Sequence, residues 1–221
     1  MHTIALLGGS FDPVHRAHLA LADALASALR LDELRFLPAG RPWQKEGVLA
    51  SAAARLAMLE LALVDHVAPH GRYLIDAREL QRDGTTYTID TLIELRQEVG
   101  ADVSLIFLIG ADQLVHLDDW KRWTELWDYA HLAVAARPGF ALDALPDAVR
   151  VPWSLRRSDA AGLRATPSGK SFTLCGLAMD VSATAIREYL EVDDQAAQSA
   201  LARLVPRAVL DYIRLNHLYR S

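Results

Sequence analysis

The stretch from Gly8 to His18 (GGSFDPVHRAH) concentrates residue types that can do chemistry. Gly8 and Gly9 close an apolar run and carry no Cβ, so the main chain there can approach a ligand closely. Ser10 and Phe11 continue the turn, and Pro13 is expected to end the loop and help start a helix. His15 and His18 stand three apart, which puts them on one face of that helix start. A helix N-terminus offers unpaired N–H groups and the positive end of a dipole, a natural seat for phosphate. Two imidazoles at that seat can donate hydrogen bonds to phosphate oxygens as charge builds in a transition state. As metal ligands the pair would need a third and a fourth partner. Asp12 could be the third and no fourth follows, so no protein-held metal is expected.

A second cluster lies toward the other end, Val181 to Arg187 (VSATAIR). Ser182 is a natural N-cap, and Glu188 follows early in the helix without true capping-box spacing. Hydroxyls, free amides and one arginine at a helix start make another anion cradle. Alone, this pattern is equally that of an ordinary capped helix.

Taken together, the two clusters resemble the nucleotidyltransferase superfamily. Its members carry a Gly-Gly-(Ser/Thr)-Phe-Asp-Pro-x-His-x-Gly-His stretch that binds ATP, and an (Ile/Val)-Ser-(Ala/Ser)-Thr-x-(Ile/Val)-Arg stretch that holds the β- and γ-phosphates. Ala17 stands where that pattern has Gly, adding one methyl group beside the phosphate site, which a helical backbone should tolerate. The resemblance implies ATP contacts from Gly8, Gly9, Ser10, Phe11, His18, Gly110, Asp112, Ser182, Thr184, Ile186 and Arg187. It also implies His15, His18 and Arg187 as the catalytic set, with Mg²⁺ entering on ATP.

Three further stretches are similar to the nicotinate-nucleotide adenylyltransferases in particular. They are Pro38 to Lys45 (PAGRPWQK), Glu79 to Leu92 (ELQRDGTTYTIDTL), and Ile109 to Gln113 with Trp120-Lys121 following. With Arg137-Pro138-Gly139 added, the resemblance runs from Leu6 to Tyr189. It implies that Lys45 meets an acceptor phosphate, that the turn Thr85, Thr86, Tyr87 holds a nicotinate carboxylate, and that Trp120 stacks on the pyridine ring. Lys121 and Arg137 join that acceptor site, and Asp112 lies near a nucleotide sugar. The implied substrates are ATP and nicotinate mononucleotide. Plainer roles exist for each residue: helix capping at Thr85 to Thr88, a loop cap at Asp112, and a core-facing stripe for Trp120, Trp123 and Trp127. Trp123 and Trp127 are expected in the core. Rival readings are adenylylation of nicotinamide mononucleotide or phosphopantetheine, and a non-catalytic nucleotide sensor on the same scaffold.

The elements that must position these residues follow from pattern and composition. At 221 residues the chain fits one domain spanning 1–221, with a helical tail from about 182 packed on it. Strands are expected at Thr3–Leu7, Glu33–Pro38, Tyr73–Ala77, Val103–Ile109, Leu132–Ala136 and Ser171–Cys175, short apolar runs bounded by turn residues. Helices are expected at Arg16–Arg30, after a Ser51 cap, at Thr88–Glu98, near Ser182 and near Pro206. The stretch from Phe140 to Lys170 reads mostly as loops. Alternating strands and helices imply an α/β fold, a Rossmann-like parallel sheet covered on both faces, with ligands outside the carboxyl ends of its strands.

Composition sets the outer limits. The chain is 52% hydrophobic and 23% charged, and its net charge of −5 argues against a nucleic-acid polymer as partner. Cys175 is the only cysteine, which excludes an internal disulfide, and it is expected to be a small buried residue on a strand. No secretory signal and no membrane-length apolar run is visible, so a cytoplasmic protein without membrane contact is expected.

Overall fold

The computed structural model describes residues 1–40, 50–136, 142–175, 181–192 and 194–219. Among these residues six strands, β1 (Thr3–Gly9), β2 (Glu33–Pro38), β3 (Arg72–Ile75), β4 (Ser104–Gly110), β5 (His131–Ala135) and β6 (Ser171–Leu174), form one sheet. Their spatial order is β3-β2-β1-β4-β5-β6, and every neighbouring pair is parallel. The chain therefore builds outward from β1 in one direction, returns, and builds outward from β4 in the other. Between β1 and β4 lies the switch point where such sheets bind ligands.

The helices are α1 (Arg16–Leu29), α2 (Ala52–Leu63), α3 (Thr88–Val99), α4 (Ala111–Val115), α5 (Leu126–Tyr129), α6 (Asp147–Leu155), α7 (Ala160–Ala165), α8 (Ala183–Glu191), α9 (Gln195–Leu204) and α10 (Arg207–Leu215). Side chains alternate across a strand, so each central strand feeds two cores. Ala5 and Leu7 of β1 pack with Ile106 and Leu108 of β4 on one face, under α1, α2, α7 and the tail helices. Ile4 and Leu6 pack with Leu105, Phe107 and Ile109 on the other face, under α3 to α6. Burial on both faces is why these strands read as continuous apolar runs rather than alternating ones. Each fully buried leucine here contributes about 1.5–3 kcal/mol.

Three expectations are corrected. The span 140–170 is not mostly loop: α6 and α7 lie within it. Pro146 precedes the first turn of α6, and Asp159 caps α7 by accepting a hydrogen bond from the Gly162 amide at 2.8 Å. Pro146 and Gly162 thus stand at helix starts, Pro152 is carried inside α6, and burial of Val149, Trp153 and Leu163 holds the short segments in place. Cys175 is exposed, one residue past the end of edge strand β6, not buried on it. Pro13 does not open α1 directly; the helix begins three residues on, capped at His15. The tail also has a helix start that the sequence pattern hid, at Asp194, whose carboxylate accepts from the Ala197 amide at 2.7 Å.

Candidate active site

At the carboxyl ends of β1 and β4 the sheet opens into a cavity of about 420 Å³. Gly8, Gly9 and Ser10 form one wall, His15, Ala17 and His18 from the start of α1 another, and Gly110, Asp112 and Gln113 a third. Val181, Ser182 and Ala183 reach it from the head of α8, while Thr86 and Trp120 line it from the far side. Residues more than 170 positions apart in the chain, Ser10 and Ser182, thus share one cavity.

The histidine pair is held by the helix start itself. His15 is the N-cap residue with extended backbone (φ −144°), and its amide donates to His18 Nδ1 at 3.2 Å. The two rings stack with centroids 3.7 Å apart, and Phe11 packs edge-on against His18 at 4.9 Å. A ring nitrogen that accepts cannot carry the proton in neutral imidazole, so the hydrogen of His18 sits on Nε2, the donor position. His15 is 4% exposed, and burial lowers its pKa to about 4. It is therefore uncharged near neutral pH, and its Nδ1 is buried with no hydrogen-bond partner among the described residues. Ala17 is helical and lines the cavity, so its methyl group meets no backbone strain.

Across the cavity Ser182 caps α8, accepting from the Ala185 amide at 3.1 Å. Arg187 donates to the Asp12 carbonyl at 2.7 Å and to Thr184 Oγ1 at 3.2 Å, which ties the second cluster to the first. Ile186 points away: it is fully buried in the core, where it anchors α8 rather than lining the cavity.

The expected acceptor residues separate. Thr86 is 5% exposed and lines the cavity, as does Trp120, whose Nε1 is buried without a partner among the described residues. Thr85 is exposed and outside the lining, and Tyr87 is the N-cap of α3 with Lys121 Nζ 4.3 Å above its ring. Lys121 also bonds Asp90 at 3.2 Å. Trp127 is core, bonding Ser171 Oγ at 3.0 Å, while Trp123 is only partly buried against it. Lys45 and Arg137 lie outside the described residues.

Two functional supports escaped the sequence pattern. Arg55, buried in the Ala- and Leu-rich α2, donates to the Ser10 carbonyl at 2.9 Å and the Ala39 carbonyl at 2.8 Å, clamping the loops after β1 and β2 together. Glu79 lines the cavity and accepts from Thr91 Oγ1 at 2.8 Å, with further hydrogen bonds to the Gly40 amide and the Thr86 hydroxyl. Burial pushes its pKa up, opposed by those donors. A Cβ at Gly40 would stand 2.1 Å from the Glu79 carbonyl, so only glycine fits that approach. An arginine in a helical run and a glutamate before a turn both read as solvated until the partner backbones are known.

An all-parallel sheet with paired anion cradles at its switch point defines a nucleotide-binding enzyme of the α/β class. The chain belongs to the cytidylyltransferase-like family, which its residues 6–189 match, and within it to the nicotinate-nucleotide adenylyltransferases. A protein of Herminiimonas arsenicoxydans, named a probable nicotinate-nucleotide adenylyltransferase, is 46% identical to it over 220 residues, covering 99% of this chain and 97% of that one. A protein of the same name from Laribacter hongkongensis is 48% identical over 219 residues, covering 99% and 94%. Among solved structures, the nicotinic acid mononucleotide adenylyltransferase of Plasmodium falciparum complexed with NaAD superposes with a TM-score of 0.75 at 18% identity. That likeness covers 99% of this chain and 98% of the other, and it shows the shared fold.

Proposed function

We propose that the protein transfers the adenylyl group of ATP to nicotinate mononucleotide, giving deamido-NAD and pyrophosphate. The acceptor's 5′-phosphate oxygen forms a bond to the α-phosphorus, and the bond from that phosphorus to the bridging oxygen of pyrophosphate breaks. A phosphate oxygen is ionised at pH 7, so no strong general base is needed and catalysis is positioning plus charge stabilisation. One observation carries the reading: the Gly8-Gly9-Ser10 turn, both histidines and the head of α8 line the same cavity as Thr86 and Trp120. In this reading His18 meets the α-phosphate, His15 supports it as a neutral group, and Ser182, Thr184 and Arg187 hold the departing pyrophosphate.

Mg²⁺ is proposed to enter with ATP and to neutralise charge on the phosphates. Among the described residues no group of three or more His, Cys, Asp or Glu could hold a metal ion. No helix of the described residues is long and apolar enough to cross a membrane. A cytoplasmic location, one domain with the tail packed on it, and acceptor contacts from Lys45, Thr85, Tyr87, Lys121 and Arg137 belong to the same proposal.

The test is turnover with ATP and three acceptors side by side: nicotinate mononucleotide, nicotinamide mononucleotide and phosphopantetheine. A nicotinate carboxylate held by one charge-assisted hydrogen bond more than its carboxamide counterpart predicts a preference of about 10- to 100-fold in kcat/KM. A ratio near one removes the nicotinate-specific reading and leaves adenylyl transfer standing.

A further inference from the structure

The last turn of the described chain returns to the phosphate loop. After α10 the backbone turns at His217 (φ 50°) and Tyr219 (φ 61°), both left-handed, and Leu218 donates to the Ile213 carbonyl at 3.0 Å. This turn packs the half-buried Tyr219 ring against the core that α1 and α2 share, and its hydroxyl donates to Asp12 Oδ1 at 2.6 Å. Asp12 is 2% exposed, and the same carboxylate oxygen accepts from the Ala50 amide at 3.2 Å. Its carbonyl accepts from Arg187 at 2.7 Å. One residue of the turn after β1 therefore joins the C-terminal turn, the entry to α2 and the arginine of α8.

We propose that Tyr219 is a positioning residue for the triphosphate site: its hydroxyl fixes Asp12, and through the Asp12 carbonyl it fixes Arg187. The inference rests on the reading that Arg187 holds the pyrophosphate part of ATP. A half-buried phenol donating to a carboxylate is a strong, charge-assisted bond, and removing it takes one donor from that carboxylate. The turn then relaxes, and the carbonyl that aims the guanidinium moves with it. Tyr219 touches no substrate in this account.

The experiment compares wild type with Tyr219→Phe. Binding of α,β-methylene ATP should weaken by about 5- to 10-fold, less than the roughly 10- to 100-fold of a direct bond to a charged group, because the lost bond acts on the ligand only through Asp12 and Arg187. Binding of nicotinate mononucleotide measured alone should stay unchanged, and the thermal midpoint should fall by only roughly 2–4 °C. Asp12→Asn should weaken the analogue to a similar degree, and the double variant should be no worse than Asp12→Asn, because both act through one bond. Unchanged analogue binding in Tyr219→Phe overturns the proposal. So does equal loss for both substrates, or additive loss in the double variant. A wild-type protein that binds no analogue overturns the adenylyltransferase reading itself, and the proposal with it.

Discussion

At the scale of single residues the two histidines share a helix start and differ in everything that matters for chemistry. His18 lines the cavity with its proton directed to Nε2, because Nδ1 accepts from the His15 amide. Replacing it, His18→Ala, should lower kcat by roughly 100-fold, since one preorganised donor to developing charge is worth about 3 kcal/mol. Near-normal turnover would remove His18 from the mechanism. His15 is the buried partner, its pKa lowered by burial to about 4 in the fold against about 6.5 for a free imidazole. The unfolded chain binds the extra proton between those values, so stability rises with pH across the window and is lost as pH falls from about 6.5 toward 4. That gap amounts to roughly 3 kcal/mol. Urea unfolding at pH 7 and pH 4.5 should show His15→Asn losing less stability on acidification than wild type, by about 2–3 kcal/mol. His131, also lowered by burial, leaves a remainder in both proteins. Equal losses in the two would mean that His15 is not the group that titrates. Both histidines were legible in the sequence because their partners are each other, three residues apart. The partner of Arg187, the carbonyl of Asp12, was not legible, because backbone atoms carry no residue signature.

At the scale of elements, the strands were the readable part and the short helices were not. A buried parallel strand is a continuous apolar run, and Glu33–Pro38 matched to the residue. The short helices α6 and α7 carry too few turns to show a period, and they persist only because Val149, Trp153 and Leu163 are buried. Arg55 belongs to the same class of hidden information. It stands in a helix whose pattern is apolar, yet its guanidinium ties the loops that follow β1 and β2. Burial also lowers its pKa, against the pull of Asp12. Arg55→Ala leaves the carbonyls of Ser10 and Ala39 without a charged donor and should cost about 2–4 kcal/mol in urea unfolding. Binding of ATP should weaken as well, because the Ser10 turn loses its clamp. A change below about 0.5 kcal/mol, the size of an ordinary surface substitution, would show that the clamp does not act.

At the scale of the whole molecule, the chemistry lies at one end of the sheet, and a staple with no part in it holds the other. The cavity lies beyond the carboxyl ends of β1 and β4, whereas Arg96 works at the amino ends of β4, β5 and β6. Its guanidinium donates to the carbonyls of Tyr129, Gly100, Val103 and Pro167, at distances from 2.7 to 3.0 Å. Those carbonyls belong to the segments that lead into the three strands, so one side chain holds the end of α3 against the entry of half the sheet. Burial lowers its pKa. Removing it with Arg96→Ala strands several carbonyls at once and should destabilise by about 2–4 kcal/mol, read from urea unfolding. The site lies at the other ends of the strands and, among the described residues, shares no hydrogen bond with this staple, so the effects should not couple. At a temperature where the variant is fully folded, kcat/KM for ATP and for the acceptor should equal that of wild type. A folded Arg96→Ala protein with clearly reduced kcat/KM would mean that strain at the amino ends passes through the sheet to the cavity. The two ends would then be one mechanical unit.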